Sequence, residues 1–342
     1  MRVLIDYATD HELEKWDIYF LYLRPTRYKS HDSSRVQPLL ALYPAHMLQA
    51  LRSTVLVCTH SLGLMHPVSF INRSIIIVDL WHGVGFKSQE AHVRKSNSRT
   101  HLFVGSEWVK DYYINRGFDS GRLHVTGHGV WDPILLRHRD DVAPDIAPLI
   151  EDFAFRVLIA PTWNPKSVKG ELSIFGASWH SALEDLSSWA QVHDTVIVFR
   201  AHMNARGPRE SGLRNVILAP YARYPKTYEL LSASDALVTD WSSIAVDFLP
   251  TRRPIIFLDV EPPFSLDMLE ACDRAGQLVS HLDDLKLALE ACISGAASRA
   301  FSSDVTRTLD KVSSGLSDGN VTRRYHSTLR ALLCEYGCSA GP

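Results

Sequence analysis

The sequence predicts an α/β protein built from two Rossmann-like domains that face one another across a cleft, residues 1–145 and 146–342. Three observations lead there. Short apolar, β-branched runs alternate with segments of helical spacing along most of the chain. Polar residues and glycines gather just past the ends of those runs, where open α/β sheets bind their ligands. The alternation breaks once, at Arg137 to Asp152, which is polar and carries Pro144 and Pro148. A chain of 342 residues is long enough for two such domains, each with its own core.

The elements follow in order. Asp17 to Leu23 reads as an early strand, and the basic stretch Arg24 to Arg35 as a solvated loop or a patch facing anionic lipid. Pro38 to Leu51 carries helical spacing, and Thr54 to Cys58 is a strand with His60 just past its end. Ser74 to Asp79 is a continuous apolar strand running into Leu80-Trp-His-Gly-Val-Gly-Phe-Lys87. That exit places His82 between a strand end and two glycines that let a ligand approach the backbone. It can be a general base there or a histidine bonded into the turn. Strands at His101 to Ser106 and Arg122 to Thr126 enclose a helix near Glu107 to Arg116, and Gly127-His-Gly129 is another glycine-rich exit.

A second α/β set opens at Arg156 to Ala160 and leads into Pro161-Thr-Trp-Asn-Pro165. A helix at Trp179 to Val192 and a strand at Thr195 to Phe199 follow, the strand exiting through Arg200-Ala-His202. After a short strand at Val216 to Leu218 and a helix at Lys226 to Ser232 comes the most compact unit of the chain, Asp235 to Asp259. Its strand, Ala236 to Thr239, hands over through Asp240, Ser242 and Ser243 to a short helix closed by Pro250. Pro254 to Leu258 is the next buried strand. Ser242 and Ser243 can cap that helix or, with its amides, hold an anion such as phosphate. From Asp283 onward the chain reads as helices, interrupted at Leu316-Ser-Asp-Gly-Asn320.

Composition excludes several classes. The 36 basic and 38 acidic residues nearly cancel, so no polyelectrolyte partner such as nucleic acid is implied. No apolar run of about 20 residues and no signal-peptide pattern occurs, which predicts a cytoplasmic chain that can still visit the inner face of the membrane. Cys58, Cys272, Cys292, Cys334 and Cys338 are scattered and odd in number, and no chemistry is assigned to them. There is no P-loop, no Gly-x-Gly-x-x-Gly turn and no Asp-x-Asp pair, which disfavours an NTPase, a dinucleotide enzyme or a metal-bound nucleotide-sugar site.

The strand exits together offer His82, Lys87, Thr162, Arg200, His202, Asp240, Ser242 and Ser243, with Arg323 and Arg324 after the late Asp-Gly turn. Cations and hydroxyl donors dominate this set, and such a set fits a pyrophosphate. The layout is GT-B-like and suits an enzyme that holds a nucleotide-activated donor in one domain and offers an acceptor from the other.

Trp81-His-Gly83 with Lys87, Ala160-Pro-Thr-Trp163, Arg200-x-His202, Leu230 through Thr239-Asp-Trp-Ser-Ser243, Asp247-Phe, Arg253-Pro-Ile-Ile-Phe257 and Asp318-Gly-Asn-Val-Thr-Arg-Arg324 occur in this order. The sequence thereby resembles the CDP-glycerol glycerophosphotransferases, the teichoic-acid and capsule polymerases of bacteria, over roughly residues 75 to 325. The resemblance implies a GT-B fold and transfer of glycerol phosphate or ribitol phosphate from a CDP-linked donor to an acceptor hydroxyl, with CMP released and no cofactor or metal required. It implies that His82 is the catalytic base and His202 the second important histidine. Thr162, Arg200, Asp240, Ser242, Ser243 and Arg324 would hold the donor, and Lys87, with His60 from its place just past a strand end, would stand on the acceptor side. The partners implied are the donor and a polyol-phosphate, glycan or lipid-linked acceptor. Val84-Gly85 replaces the family's usual Thr-Pro, Asn164 its Arg, and Gly127-His-Gly-Val130 its Gly-Tyr-Pro-Arg turn. A glycosyltransferase using a nucleotide sugar, or a non-catalytic assembly subunit, would fit the same fold.

Overall fold

The computed structural model describes residues 17–22, 36–40, 43–59, 66–81, 83–87, 99–137, 146–163, 173–202, 205, 208 and 212–337. His60, His82 and the stretch Arg24 to Arg35 lie outside the described residues. The chain sorts into two compact units: one of Met1–His82, Glu90–Gly129 and Leu316–Pro342, the other of Gly83–Gln89 and Val130–Gly315.

The first unit holds a parallel pair, β1 (Ile18–Tyr22) and β2 (Val36–Leu40). It also holds a four-stranded parallel sheet of β3 (Val55–Cys58), β4 (Ile76–Asp79), β5 (Thr100–Val104) and β6 (Leu123–Val125) in that order. The helical spacing expected from Pro38 is overturned at its start. Pro38 lies in β2, which pairs only with β1 among the described residues, and an edge strand tolerates the missing amide donor. The helix begins at Pro44 and runs to Leu51, with proline in the first turn where its fixed φ is an asset. Leu39, Ala50, Leu56, Val68, Ile75 and Ile77 close a core over this sheet. Ser106 caps the helix Glu107–Ile114 by accepting from the Val109 amide at 3.2 Å. The last helix, Val321–Glu335, lays Tyr325 on Phe103, ring centroids 5.4 Å apart.

The second unit contains β7 (Phe155–Ile159), a small hairpin of β8 (Ser173–Ile174) and β9 (Ala177–Ser178), then β10 (Thr195–Phe199), β11 (Val216–Leu218), β12 (Ala236–Thr239), β13 (Ile255–Leu258) and β14 (Gln277–Val279). Its six-stranded sheet has the order β11-β10-β7-β12-β13-β14, all parallel. Apart from the hairpin, the chain starts in the middle at β7, winds outward on one side, returns, and winds outward on the other from β12. The strand order therefore reverses between β7 and β12, and the crevice beyond their carboxyl ends is the expected ligand site. Helix Trp179–Val192 buries Trp179, Leu183 and Leu186, and helix Leu282–Ile293 buries Leu285 and Leu289, in one core with Val157, Ile159, Ile197, Phe199 and Val238. The three-residue β14 is not apparent in the sequence, because Gln277-Leu-Val279 has neither length nor a continuous apolar run. Its place is fixed by Gly276, where a Cβ would stand 2.0 Å from the Ile255 carbonyl oxygen.

Candidate active site

Thr162 leaves β7 and Asp240 leaves β12, so both lie at the reversal point. Asp240 is buried, and its Oδ1 accepts from the Thr162 amide at 2.8 Å, the Thr162 hydroxyl at 2.5 Å and the Trp241 amide at 2.7 Å. Burial raises the Asp240 pKa, and these hydrogen bonds oppose the rise. The preceding residue, Thr239, ties the same two strands by donating its hydroxyl to the Ala160 carbonyl at 2.7 Å.

Ser242 and Ser243 come next. The Ser242 hydroxyl accepts only a long 3.4 Å bond from the Ile244 amide. Ser243 is the exposed N-cap residue of the helix Ile244–Phe248 and makes no side-chain cap bond. The glycine-rich exit of the Trp-His-Gly motif approaches here: a Cβ on Gly85 would stand 3.2 Å from the Ser243 Cβ. Phe86 sets its edge against Trp241 at 5.5 Å and 86°, and the Trp241 indole donates to the Val260 carbonyl at 2.6 Å. Lys87 is exposed and makes an isolated antiparallel bridge with Leu266.

On the other side of β7, Arg200 and His202 leave β10. Arg200 is 6% exposed, and its donors go to the carbonyls of Tyr224 at 2.7 Å and Ala219 at 3.4 Å and to the Thr227 hydroxyl at 2.9 Å. Its guanidinium stands 5.3 Å from the centre of the Tyr221 ring. No carboxylate neutralises it among the described residues, and burial lowers its pKa to about 10. The His202 ring lies parallel to Trp163 at 6.0 Å and 10°. Although His202 is exposed as a residue, partial shielding of its ring lowers its pKa, which favours the neutral imidazole.

Arg324 belongs to the first unit. It donates to the Thr126 carbonyl at 2.7 Å, the Leu316 carbonyl at 2.6 Å and both oxygens of Asp318 at 2.9 and 2.8 Å. This ion pair lowers the Asp318 pKa. Gly127, with φ +91°, is needed beside it, since a Cβ there would come 2.8 Å from Val321.

The second unit thus brings Thr162, Arg200, His202, Asp240, Ser242 and Ser243 to three adjacent strand ends of one sheet. Three contributors escaped the sequence reading: Trp163 as the partner of the His202 ring, Gly85 as the close neighbour of Ser243, and Arg274 on Trp241. Trp163 stood inside a recognised motif; no local pattern marks Arg274. Cys58 and Cys292 have raised pKa values, by burial and, for Cys58, the Asp79 carboxylate, Cys292 reaching about 12, so neither supplies a thiolate. Among the described residues no group of three His, Cys, Asp or Glu is arranged to hold a metal, and no described helix is long and apolar enough to cross a membrane.

Comparison with known proteins adds two kinds of likeness. A search of curated proteins finds no significant match. Among solved structures, the wall teichoic acid polymerase TagF superposes with a TM-score of 0.75 at 15% identity, over 98% of this chain and 85% of that one. A variant of the same polymerase soaked with CDPG gives 0.75 at 16%, with the same coverage. UDP-GlcNAc 2-epimerase from Neisseria meningitidis, bound to UDP-GlcNAc, gives 0.58 at 13%, over 97% of this chain and 96% of that one. These likenesses place the α/β fold in the GT-B-like, Rossmann-type class. The sequence profile of the CDP-Glycerol:Poly(glycerophosphate) glycerophosphotransferases matches residues 2–263, most of the chain, and the protein belongs to that family.

Proposed function

We propose that the protein transfers glycerol phosphate from CDP-glycerol to the terminal hydroxyl of a polyol-phosphate or lipid-linked glycan acceptor in the synthesis of a cell-wall polymer. Residues 146–342 would carry the donor and residues 1–145 the acceptor, with Lys87 and His60 on the acceptor side. The observation that carries the donor reading is Arg200: a buried guanidinium whose hydrogen-bond partners are neutral lacks an anion. It follows β10, one strand from the reversal between β7 and β12 that carries Thr162, Asp240 and the two serines. A pyrophosphate there supplies the missing charge.

In the mechanism that follows, His82 takes the proton of the acceptor hydroxyl. Its oxygen attacks the phosphorus that bears glycerol, the bond from that phosphorus to the bridging oxygen breaks, and CMP leaves with the bond's electron pair. Free imidazole titrates at about pH 6.5, which suits histidine to the role of a general base near neutral pH. Neutral His202, Arg200 and the hydroxyls of Ser242 and Ser243 stabilise charge on the transferring phosphoryl group. Arg324, after the late Asp-Gly turn, is the further donor-holding cation of this reading. A lipid-linked acceptor draws the enzyme to the inner face of the membrane.

Mass spectrometry of products after incubation with CDP-glycerol, CDP-ribitol or UDP-GlcNAc and an oligosaccharide or lipid acceptor tests this reading. CMP with a glycerol-phosphate-extended acceptor is expected. Exclusive sugar transfer from UDP-GlcNAc would overturn it. His82→Ala and His202→Ala should each abolish CMP release, and His82→Ala should retain part of its donor binding.

A further inference from the structure

Trp241, in the middle of the Asp240-Trp-Ser-Ser243 turn, is held on several sides. Its nitrogen is bonded to the Val260 carbonyl, its ring meets the edge of Phe86, and the Arg274 guanidinium stands 4.1 Å from the ring centre. The fold takes care to present Arg274. The short helical turn Ala271–Asp273 before it is closed by a capping box, in which the Asp273 carboxylate accepts from the Glu270 amide at 2.9 Å. That buried carboxylate also receives Lys311 Nζ at 2.8 and 2.9 Å, which fixes the turn from behind. Two residues on, Gly276 locks the chain against β13.

The pairing of Arg274 is poor for so well-placed a residue. Its closest carboxylate contact is Asp259, at 3.9 Å, and its buried Nη1 has no hydrogen-bond partner. A buried donor without an acceptor is costly. Only its Nε reaches a carbonyl, that of Ala271 at a long 3.4 Å, whereas Arg253 directs one nitrogen at the carbonyls of Ser232 and Ser234 at 2.6 and 2.7 Å. What Arg274 does have is a guanidinium carbon 4.1 Å from the centre of the indole ring and a positive charge held near the turn.

We propose that Arg274 is a positioning residue for the donor: a fixed cation stacked on Trp241 that holds the Ser242-Ser243 turn in register for the phosphates and adds its field to theirs. This rests on the reading that the turn binds the donor. A planar guanidinium can lie on the indole as an ammonium cannot, so lysine should replace its charge but not its contact.

The test uses the full-length chain and two variants, Arg274→Gln and Arg274→Lys. Calorimetric titration with CDP-glycerol, kcat and KM for CMP release, and the melting temperature of the free protein are measured for each. Arg274→Gln is expected to weaken CDP-glycerol binding about tenfold and raise KM in step, with kcat little changed, and Arg274→Lys to fall between it and wild type. Wild-type affinity in Arg274→Gln overturns the proposal. So does a lowered melting temperature in both variants with the affinity of the folded fraction intact, the mark of a merely structural arginine. A wild-type protein that does not bind CDP-glycerol removes the donor reading and this role with it, whereas wild-type binding with an indifferent Arg274→Gln removes this role alone.

Discussion

Thr162 gives both its amide and its hydroxyl to a single oxygen of Asp240, 78 positions later in the chain, and so clasps the two strand ends between which the sheet reverses. The clasp is the local reason the crevice has a fixed shape. It is also a buried carboxylate whose pKa burial has raised.

Asp240→Asn keeps an oxygen for the three donors and removes the buried charge, whereas Asp240→Ala orphans all three. The alanine variant should lose about 1–3 kcal/mol of stability at pH 7, and the asparagine variant much less. Because the folded-state pKa of Asp240 is raised, its ionisation opposes folding as pH rises through the ordinary carboxylate range. The wild type should therefore gain stability relative to Asp240→Asn as pH is lowered into that range. Thermal melts at several pH values read both effects, and equal losses in the two variants would contradict the clasp.

His101 is buried on β5, its Nδ1 3.0 Å from His124 Nε2 and its Nε2 3.1 Å from the Tyr336 hydroxyl. Burial, with His124 and Arg122 nearby, lowers its pKa to about 4, while the unfolded chain titrates near the usual histidine value. The unfolded state binds the proton first, so stability falls as pH drops from about 6.5 towards that value, by up to about 3 kcal/mol. His101→Phe should flatten this acid limb in urea unfolding followed against pH; an unchanged limb would assign it to other groups.

Gly85→Ala places a methyl 3.2 Å from the Ser243 Cβ, and the serine must give way by a few tenths of an ångström. KM for CDP-glycerol should rise about three- to tenfold, while the melting temperature stays close to wild type. A larger rise in KM with the bulkier Gly85→Val would show that the steric push is the cause.

Leu183 is fully buried between its helix and the six-stranded sheet, remote in role from any phosphate. Leu183→Ala should cost about 2–5 kcal/mol in denaturant unfolding and leave KM unaltered in the folded fraction.

The sequence carried most of the second unit, because β10, β12 and β13 are fully buried parallel strands, β7 is buried but for Phe155, and all four declare themselves as largely apolar runs followed by polar exits. It carried less of the first. Pro38 shared the apolar spacing of the helix behind it, and only the pairing with β1 separates them. At the site, residue types were legible and partners were not. Ser242 and Ser243 stood where an anion site was expected, but that neither makes a strong cap is a fact of backbone geometry. Arg324 was legible as a cation after a turn, yet its bond to the Thr126 carbonyl spans 198 positions. Arg274 meets Trp241 only because a capped turn and Gly276 aim it there.

The helix Val321–Glu335 completes the first unit, although every strand of both sheets precedes it in the chain. During synthesis the sheet of β3 to β6 waits without Tyr325 and Tyr336 until the whole second unit has left the ribosome. The half translated first is thus the half that finishes folding last, and a nascent chain stalled before residue 321 would lack the rings of Tyr325 and Tyr336 that meet Phe103 and His101.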